Sequence, residues 1–155
     1  MSGILIVAEH TRGVLADLSS ELIGAALAVK ESLGGPLRIL VVGETPSDYV
    51  APLNRPGVDE ILLAQTDNPH FDSAVYEEAT FAAAVGCEPA LIMVGHSASG
   101  TSFASALAIR LGSGFAADVF GLDVAENGLR ATRSGFGNKV NVELDFPGKP
   151  VVVLT

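Results

Sequence analysis

Apolar runs separated by polar turns recur along the first three quarters of the chain and predict parallel strands that alternate with helices. The runs typical of buried strands span 4–8, 37–43, 60–64 and 91–95, and a further run begins near Ala116. Most of these runs contain few polar residues, as strands buried on both faces of a parallel sheet require. The pattern therefore predicts an α/β domain with repeated β-α-β units.

Helical periodicity fills the intervals between these runs. The first helix has an apolar stripe at spacings of four, three and four residues, with Asp17 or Ser19 as its N-cap and an end at Gly34. The stripe consists of Leu22, Ala26, Val29 and Leu33. A second helix is predicted to begin with Thr45 as N-cap and Pro46 at its first position.

In this second helix Asp48 resembles the end of a capping box, and Pro52 and Pro56 predict that the helix is short. Two longer helices complete the α/β part of the pattern. The third helix is predicted to start at the cap Asp72 and to end at Gly86. The fourth is predicted over 101–111, before a glycine at 112 that ends it.

Beyond residue 117 the period changes to short strand-like segments. These read VFGLDV, GLRATR, KVNVELDF and VVVLT, and the turn sequences Asn127-Gly128, 135–138 and Pro147-Gly148 separate them. Turn sequences of this kind between short strand-like segments predict hairpins or a meander. The predicted architecture is a mostly parallel sheet with a β-rich hairpin extension at its C-terminal end.

Composition narrows the class of protein. The 155 residues suit one domain, and although 48% are hydrophobic, no window approaches the ~20 apolar residues of a membrane span. The first ten residues predict a strand rather than a signal peptide. One cysteine, Cys87, excludes an internal disulfide; we expect it in or near the core and the protein in the cytoplasm.

The formal net charge of −9 argues against nucleic acid or an anionic membrane as partner. The charge is uneven, because residues 126–155 carry four basic and three acidic side chains while the rest carries five and fifteen. This end of the chain is either a contact face or a set of hairpins that carry Arg130, Arg133 and Lys139.

The turn after the fourth strand invites a catalytic interpretation. Its sequence, GHSAS at 95–99, nearly matches the nucleophile elbow G-x-S-x-G, which would make Ser97 a nucleophile. A serine hydrolase needs a positioned base, but none of the histidines His10, His70 and His96 follows Ser97. A hydrolase is therefore the third hypothesis, and no catalytic residue is assigned.

The same turn permits binding. The hydroxyls of Ser97, Ser99 and Thr101, with backbone N–H groups at a helix start, either hold a phosphate or another anion or cap the helix. Glu9 should lie at the same sheet edge, since parallel strands end on one side. It would oppose a phosphate, yet suits a basic residue of a partner.

Other candidate motifs do not lie between the secondary-structure elements that their proposed binding sites require. The glycines of GSGFAA at 112–117 follow a helix and precede a strand, the reverse of a dinucleotide-binding turn. Those of GFG at 135–137 lie between strand-like segments. The loop with Asp67, His70 and Asp72 is read as a polar loop, and no metal site is expected.

Six segments together resemble the N-terminal domain of the electron transfer flavoprotein alpha subunit. They are ILIVAEH at 4–10, LRILVVGE at 37–44, GVDEILLA at 57–64, LIMVGHSASG at 91–100, the run 107–122, and GFGNKV at 135–140 with a final strand at 151–155. The resemblance implies a three-layer, Rossmann-like domain related to adenine-nucleotide hydrolase folds. It also implies that the family's C-terminal FAD-binding domain is absent from this chain.

The resemblance further implies a non-catalytic electron-transfer component, stand-alone or split, that acts as a scaffold. Implied partners are a beta-type subunit, a separate FAD-binding domain or another copy; FAD is implied for the assembly and not expected to bind this chain tightly. Weak ligand or partner contacts are expected at Gly95, His96, Ser97, Ser99, Gly100 and Thr101, and partner contacts at Glu9, His10, Gly135, Gly137 and Asn138.

The alternative is a small adenine-nucleotide-binding protein similar to universal stress proteins. It would use 8–10, Gly43 and the turn 95–101. Those proteins usually carry a late glycine-rich phosphate loop between a strand and a helix, whereas this chain has hairpin-like glycines there.

Overall fold

Six aliphatic segments pair in parallel as the central sheet of the computed structural model, which describes residues 3–155. The strand order is β5-β4-β1-β6-β11-β7. The strands are β1 (Ile4–Val7), β2 (His10–Thr11), β3 (Val14–Leu15), β4 (Leu37–Gly43), β5 (Glu60–Gln65), β6 (Leu91–Met93), β7 (Gly114–Ala116), β8 (Val119–Ala125), β9 (Gly128–Gly135), β10 (Val140–Asp145) and β11 (Val152–Leu154). The helices are α1 (Asp17–Leu33), α2 (Val50–Leu53), α3 (Ser73–Cys87) and α4 (Ala98–Leu111), and a 3₁₀ turn spans Pro46–Tyr49. The predicted α/β class is confirmed.

Helices cover both faces of the sheet, so the strands are apolar on both sides. On one face α1 packs through Ile23, Ala26 and Val29. On the other, α3 and α4 contribute Tyr76, Phe103, Leu107 and other buried side chains. The result is the three-layer arrangement that the family resemblance implies.

An antiparallel sheet with the order β10-β9-β8 packs on the α1 side of the domain. Leu122, Ala131 and Leu144 lie opposite one another across its three strands and belong to the core on that side. The predicted meander is therefore confirmed. Its fourth predicted segment, VVVLT, instead forms β11, parallel between β6 and β7. An uninterrupted aliphatic run suits that position, because β11 is buried on both faces.

Several predicted boundaries and caps are wrong. α1 is preceded by Ala16 and has no side-chain cap; Ser19 is instead buried and hydrogen-bonded to the backbone of Glu9. Thr45 makes no capping bond to the 3₁₀ turn that replaces the start of the predicted second helix. α4 begins at Ala98 rather than at Thr101, because Ser97 caps it.

The direction of the connections changes at the middle of the sheet. After β1 the chain passes to α1 on one face and to β4 on one side; after β6 it passes to α4 on the opposite face and to strands on the other side. Ligands of open α/β sheets usually bind at such a switch point, beyond the carboxyl ends of the strands. We call the space between Glu9 and the turn 95–97 the switch crevice.

Among residues 3–155, no helix has both the length and the apolar character needed to cross a lipid bilayer.

Candidate functional site

Glu9 and Ser97 meet across the switch crevice. The Ser97 hydroxyl donates a hydrogen bond to Glu9 Oε2 at 2.6 Å and accepts one from the Gly100 N–H at 3.0 Å. The Ser97 hydroxyl is thus both the N-cap of α4 and the hydrogen-bond donor to the carboxylate of Glu9, which follows β1. The edge prediction placed Glu9 near this turn correctly, since both strands end there.

The backbone of Glu9 is held as firmly as its side chain. Its N–H donates to the Ser19 hydroxyl at 2.9 Å, and its carbonyl accepts from that hydroxyl and from the Ala16 N–H. Ser19 is almost fully buried at the start of α1. Glu9 therefore joins the N-terminal ends of α1 and α4.

Two glycines allow the turn to pack this tightly. A Cβ at Gly100 would overlap the Gly95 carbonyl oxygen, and a Cβ at Gly95 would overlap the Leu18 side chain. The close approach that the elbow motif requires at its last position thus occurs at Gly100 rather than at Ser99. What remains of the crevice is a cavity of about 10 Å³, bordered by Ala8, Glu9, Phe71, Tyr76, Ser99 and Phe103 among others.

The hydroxyls of Thr101 and Ser102 bond to backbone carbonyls at the start of α4. Thr101 Oγ1 donates to the Ser97 carbonyl at 2.7 Å, and the Ser99 carbonyl accepts from the Ser102 hydroxyl at 2.6 Å. Thr101 is exposed and Ser99 half-buried. The structure therefore brings together the predicted residues of the turn, but their arrangement favours capping and the Glu9 contact over a phosphate.

His96 points away from Ser97. Its Nδ1 lies 3.0 Å from Thr155 Oγ1 and accepts from the Asp118 N–H at 3.3 Å, while Nε2 lies 3.9 Å from Asp118 Oδ1. With its ring engaged there, His96 is not the base of a Ser–His pair. No pattern in the sequence pointed to Asp118 or Thr155, because β11 reaches this place only through its insertion beside β6.

A groove of about 430 Å³ lies next to His96, between α1 and β8. Its apolar walls include Leu18, Leu22, Ala25, Met93, Phe120 and Leu122, and Glu21 and Thr155 border it as well. A β-bulge between Val119 and Gly121 accompanies the exposed position of Phe120.

His10 is engaged inside the domain. Its Nε2 lies 2.6 Å from the Val42 carbonyl oxygen, so this nitrogen must donate, and its ring stacks on Tyr49 with a centroid distance of 4.1 Å. Gly43 makes room for the ring, since a Cβ there would come within 3.1 Å of it. The Tyr76 hydroxyl donates to the same Val42 carbonyl at 3.0 Å. Burial, with the charge of Glu9 as a further cause, raises the pKa of Tyr76 to about 12.

The hairpin tip at 136–139 projects from the antiparallel sheet. Phe136, Gly137 and Asn138 all have positive φ, and the Lys139 N–H closes the turn on the Gly135 carbonyl at 3.1 Å. The Phe136 side chain is 84% exposed, so the turn presents a large apolar group to solvent. The glycine pattern predicted the turn, but sequence reasoning did not single out Phe136.

The exposed apolar residues Phe120 and Val140 lie toward the same end of this sheet, because Val119 pairs with Arg133 and Val140 with Gly135 of β9. The Val119 N–H donates to the Thr155 carbonyl, which places that end at the carboxyl edge of the parallel sheet. We call Phe120, Phe136, Lys139 and Val140 the hairpin patch.

Basic side chains of the antiparallel sheet differ in their partners. Arg130 contacts Asp145 at 3.2 Å and Glu143 at 3.6 Å, and the hydrogen bond that Arg130 donates to Asp145 is the main cause that raises the pKa of Arg130. Within the described part of the chain, neither Arg133 nor Lys139 has a carboxylate within 4.0 Å. The hairpin end is therefore apolar and basic in a strongly acidic chain.

The loop before α3 behaves as a polar loop. Asp72 caps α3 by accepting from the N–H groups of Ala74 and Val75, and the His70 N–H donates to the Asn68 side chain. Residues 3–155 contain no group of three side chains placed to hold a metal ion.

Comparison with known proteins identifies a family match over nearly the whole chain. The model of the family described as the electron transfer flavoprotein domain matches residues 4–155. The electron transfer flavoprotein subunit alpha of Methylophilus methylotrophus is 41% identical over 155 residues, which are 100% of this chain and 48% of that protein. The same-named subunit of Mycobacterium tuberculosis (strain ATCC 25618 / H37Rv) is 34% identical over 157 residues, 99% of this chain and 46% of that protein.

A third relative carries a different name. The lactate dehydrogenase (NAD(+),ferredoxin) subunit LctC of Acetobacterium woodii is 28% identical over 146 residues, 92% of this chain and 34% of that protein. The chain spans about half the length, or less, of the curated relatives it matches.

Proposed function

Because the chain belongs to the electron transfer flavoprotein domain family and matches its alpha subunits, we propose that it is a non-catalytic scaffold that docks a beta-type subunit. A separately folded FAD-binding domain is the second partner we propose for the same assembly. In this proposal the domain positions a flavin held elsewhere, in the cytoplasm, and transfers electrons only as part of the complex.

The observation that carries the proposal is the hairpin patch. Phe136 is 84% and Phe120 63% exposed, although neither contributes to the core of this domain. Exposed aromatic side chains next to unpaired cations are typical of interface anchors. The predicted contacts Gly135, Gly137 and Asn138 would act by shaping the turn that presents Phe136.

The switch crevice does not fit a flavin. Its free volume is about 10 Å³, and the carboxylate of Glu9 would repel the diphosphate of FAD. Tight FAD binding by these residues is therefore not proposed. The same geometry counts against the adenine-nucleotide alternative, which would use this turn together with Gly43.

The experiment is to titrate the purified chain with the beta-type subunit encoded in the same genome and to measure the complex by analytical ultracentrifugation. We expect a one-to-one complex, and Phe136→Ser should weaken its Kd at least about tenfold, since buried aromatic anchors contribute ~2 kcal/mol or more. Ile109→Ser is the matched control, because Ile109 is 83% exposed on α4, away from the hairpin patch.

Equal affinities for the wild type and Phe136→Ser would remove the hairpin patch from the interface. Absence of any complex with the subunit, together with self-association of the chain, would replace the proposed partner by a second copy. Lys139→Glu is expected to weaken the complex more at low than at high salt, because the cation would act on an acidic partner through a screened charge.

A further inference from the structure

The two edges of the parallel sheet differ in length and composition. One edge is β7, which is three residues long, and the other is β5, which is six residues long and reads EILLAQ. β5 contains neither proline nor glycine and pairs with β4 without a register shift. Proteins usually protect a sheet edge with a short strand, a proline, a bulge or charges. The four apolar residues in the middle of β5 have no such protection.

The backbone of β5 has hydrogen-bonding groups that face away from the sheet. The Asp59 N–H donates to the Leu37 carbonyl of β4 at 2.9 Å. Because backbone groups alternate in direction along a strand, those of Glu60, Leu62 and Ala64 point to the open side. Within residues 3–155, β4 is the only strand that pairs with β5. The outer edge of β5 is therefore able to bind a further strand.

The side chain of Leu63 lies on this edge outside the core. Leu63 is 48% exposed, whereas Leu62 and Ala64 pack partly against the core on the α3 side and Ile61 against the core on the α1 side. Residues two apart share a face, so Leu63 lies on the same face as Ile61. One exposed leucine is ordinary, but beside open backbone groups it gives a paired strand an apolar contact.

We propose that the outer edge of β5 pairs antiparallel with β5 of a second copy of this chain. When Leu62 lies on the two-fold axis, Ile61 faces the partner's Leu63 and Glu60 faces the partner's Ala64. Both contacts occur twice, as a two-fold interface requires. Each hydrogen-bonded pair exchanges two backbone bonds, which gives about six across the interface. In a register that centres on Glu60, two glutamates would face each other, which is unfavourable.

The acidic residues at the start of β5 are compatible with this pairing. Asp59 would face Gln65 of the second copy rather than a carboxylate. Lys30 lies 2.6 Å from Asp59, and Arg38 lies 2.6 Å from Glu60, so a cation of the same chain accompanies each acid. In a chain with a net charge of −9, such local neutralisation favours this edge as the place where two copies meet. The edge shares no residue with the hairpin patch, so this pairing does not depend on docking of a beta-type subunit.

The first test is analytical ultracentrifugation of the full 155-residue chain over a wide range of concentrations. We expect a reversible monomer–dimer equilibrium. Leu63→Lys should weaken the dimer at least about tenfold, because lysine on an edge strand opposes pairing. Ile109→Lys is the matched control: Ile109 is 83% exposed on α4, which packs against β7 and β11 on the other side of the sheet. This control and Phe136→Ser should dimerise like the wild type.

Disulfide cross-linking in a Cys87→Ala background tests the register. A mixture of Ile61→Cys and Leu63→Cys chains should form a disulfide-linked dimer on oxidation, because directly opposite residues of a non-hydrogen-bonded pair have Cα atoms about 4.5 Å apart. Each variant alone should cross-link much less, since its own counterpart is offset by two residues along the strand.

A chain that stays monomeric at every concentration would overturn the proposal, as would a Leu63→Lys variant that dimerises like the wild type. Loss of the dimer in Phe136→Ser but not in Leu63→Lys would assign self-association to the hairpin patch instead. Cross-linking of Leu63→Cys alone as efficient as that of the mixture would refute the register. Circular dichroism and urea unfolding establish that each variant is folded, and cross-linking decides the question if Leu63→Lys does not fold.

Discussion

The Tyr76 hydroxyl donates a hydrogen bond to the Val42 carbonyl at 3.0 Å, and this bond ties α3 to the carboxyl end of β4. The carbonyl also accepts from His10 Nε2. Tyr76 is 7% exposed, so the hydroxyl exchanges its bond with water for one inside the domain. Tyr76→Phe should lower the free energy of unfolding by about 1 kcal/mol, measured by urea unfolding.

Tyr76 also predicts that the free energy of unfolding depends on pH in the alkaline range. Its pKa is raised to about 12 in the folded state from an ordinary value of 10.0, so the neutral form is favoured by folding. Its stabilising contribution is complete below pH 10 and is lost as the pH rises toward 12. Wild-type stability should therefore fall over this window, and that of Tyr76→Phe should fall less.

Ultraviolet titration of tyrosinate checks this directly, because the chain has two tyrosines and no tryptophan. Tyr49→Phe leaves Tyr76 as the only tyrosine and should show one late transition. A transition near pH 10 in that folded variant would contradict the prediction.

Two predicted N-caps, Asp72 and Thr45, should differ in their energetic effect. Asp72 accepts from the Ala74 and Val75 N–H groups at 2.9 and 3.2 Å, whereas Thr45 makes no capping bond. Asp72→Ala should cost about 1 kcal/mol of stability and Thr45→Ala much less, as measured by denaturant midpoints. Equal losses would show that the hydroxyl of Thr45 caps the 3₁₀ turn in solution.

The comparison of these caps shows which features the sequence predicts. Strands such as 37–43 follow from local apolar content, and the α3 cap from one residue beside its own helix. The place of VVVLT does not follow, because an aliphatic run fits a hairpin or a central strand equally well. Only the pairing of Val152 with Leu91 on one side and Gly114 on the other decides it.

The site was predictable only as far as topology places residues on one edge. Glu9 and Ser97 follow strands that end together, so their proximity was expected, but not their direct bond across 88 residues. The inward position of His10 depends on Val42 and Tyr49, which the sequence does not connect to it. Long-range side-chain contacts of this kind leave no local pattern.

The ion pair between Asp59 and Lys30 predicts how the free energy of unfolding changes at acidic pH. Asp59 lies 2.6 Å from Lys30 Nζ and accepts from the Leu37 N–H at 2.7 Å; these bonds lower the pKa of its carboxyl group below 3.8. The contribution is present above pH 4 and is lost as the pH falls through the lowered pKa.

Asp59→Asn should therefore reduce stability at pH 7 by less than about 1 kcal/mol, since the side chain is 43% exposed and the pair is screened. The difference from wild type should shrink below pH 4 in urea unfolding measured across pH. Asp67→Asn is the control, because Asp67 is exposed and has no ion pair in residues 3–155. A difference that grows toward low pH would refute the assignment.

A glycine within α4, Gly100, and the glycine that follows the helix, Gly112, should respond differently to alanine. At Gly100 a Cβ would overlap the Gly95 carbonyl oxygen, which is backbone and cannot rotate away, so Gly100→Ala should cost more than about 3 kcal/mol. At Gly112 the φ of +62° disfavours alanine but the surrounding space is open, and the cost should be about 1 kcal/mol. Thermal and urea unfolding of the two variants measure the difference. Similar losses would mean that the turn around Ser97 relaxes easily to accommodate a Cβ at Gly100.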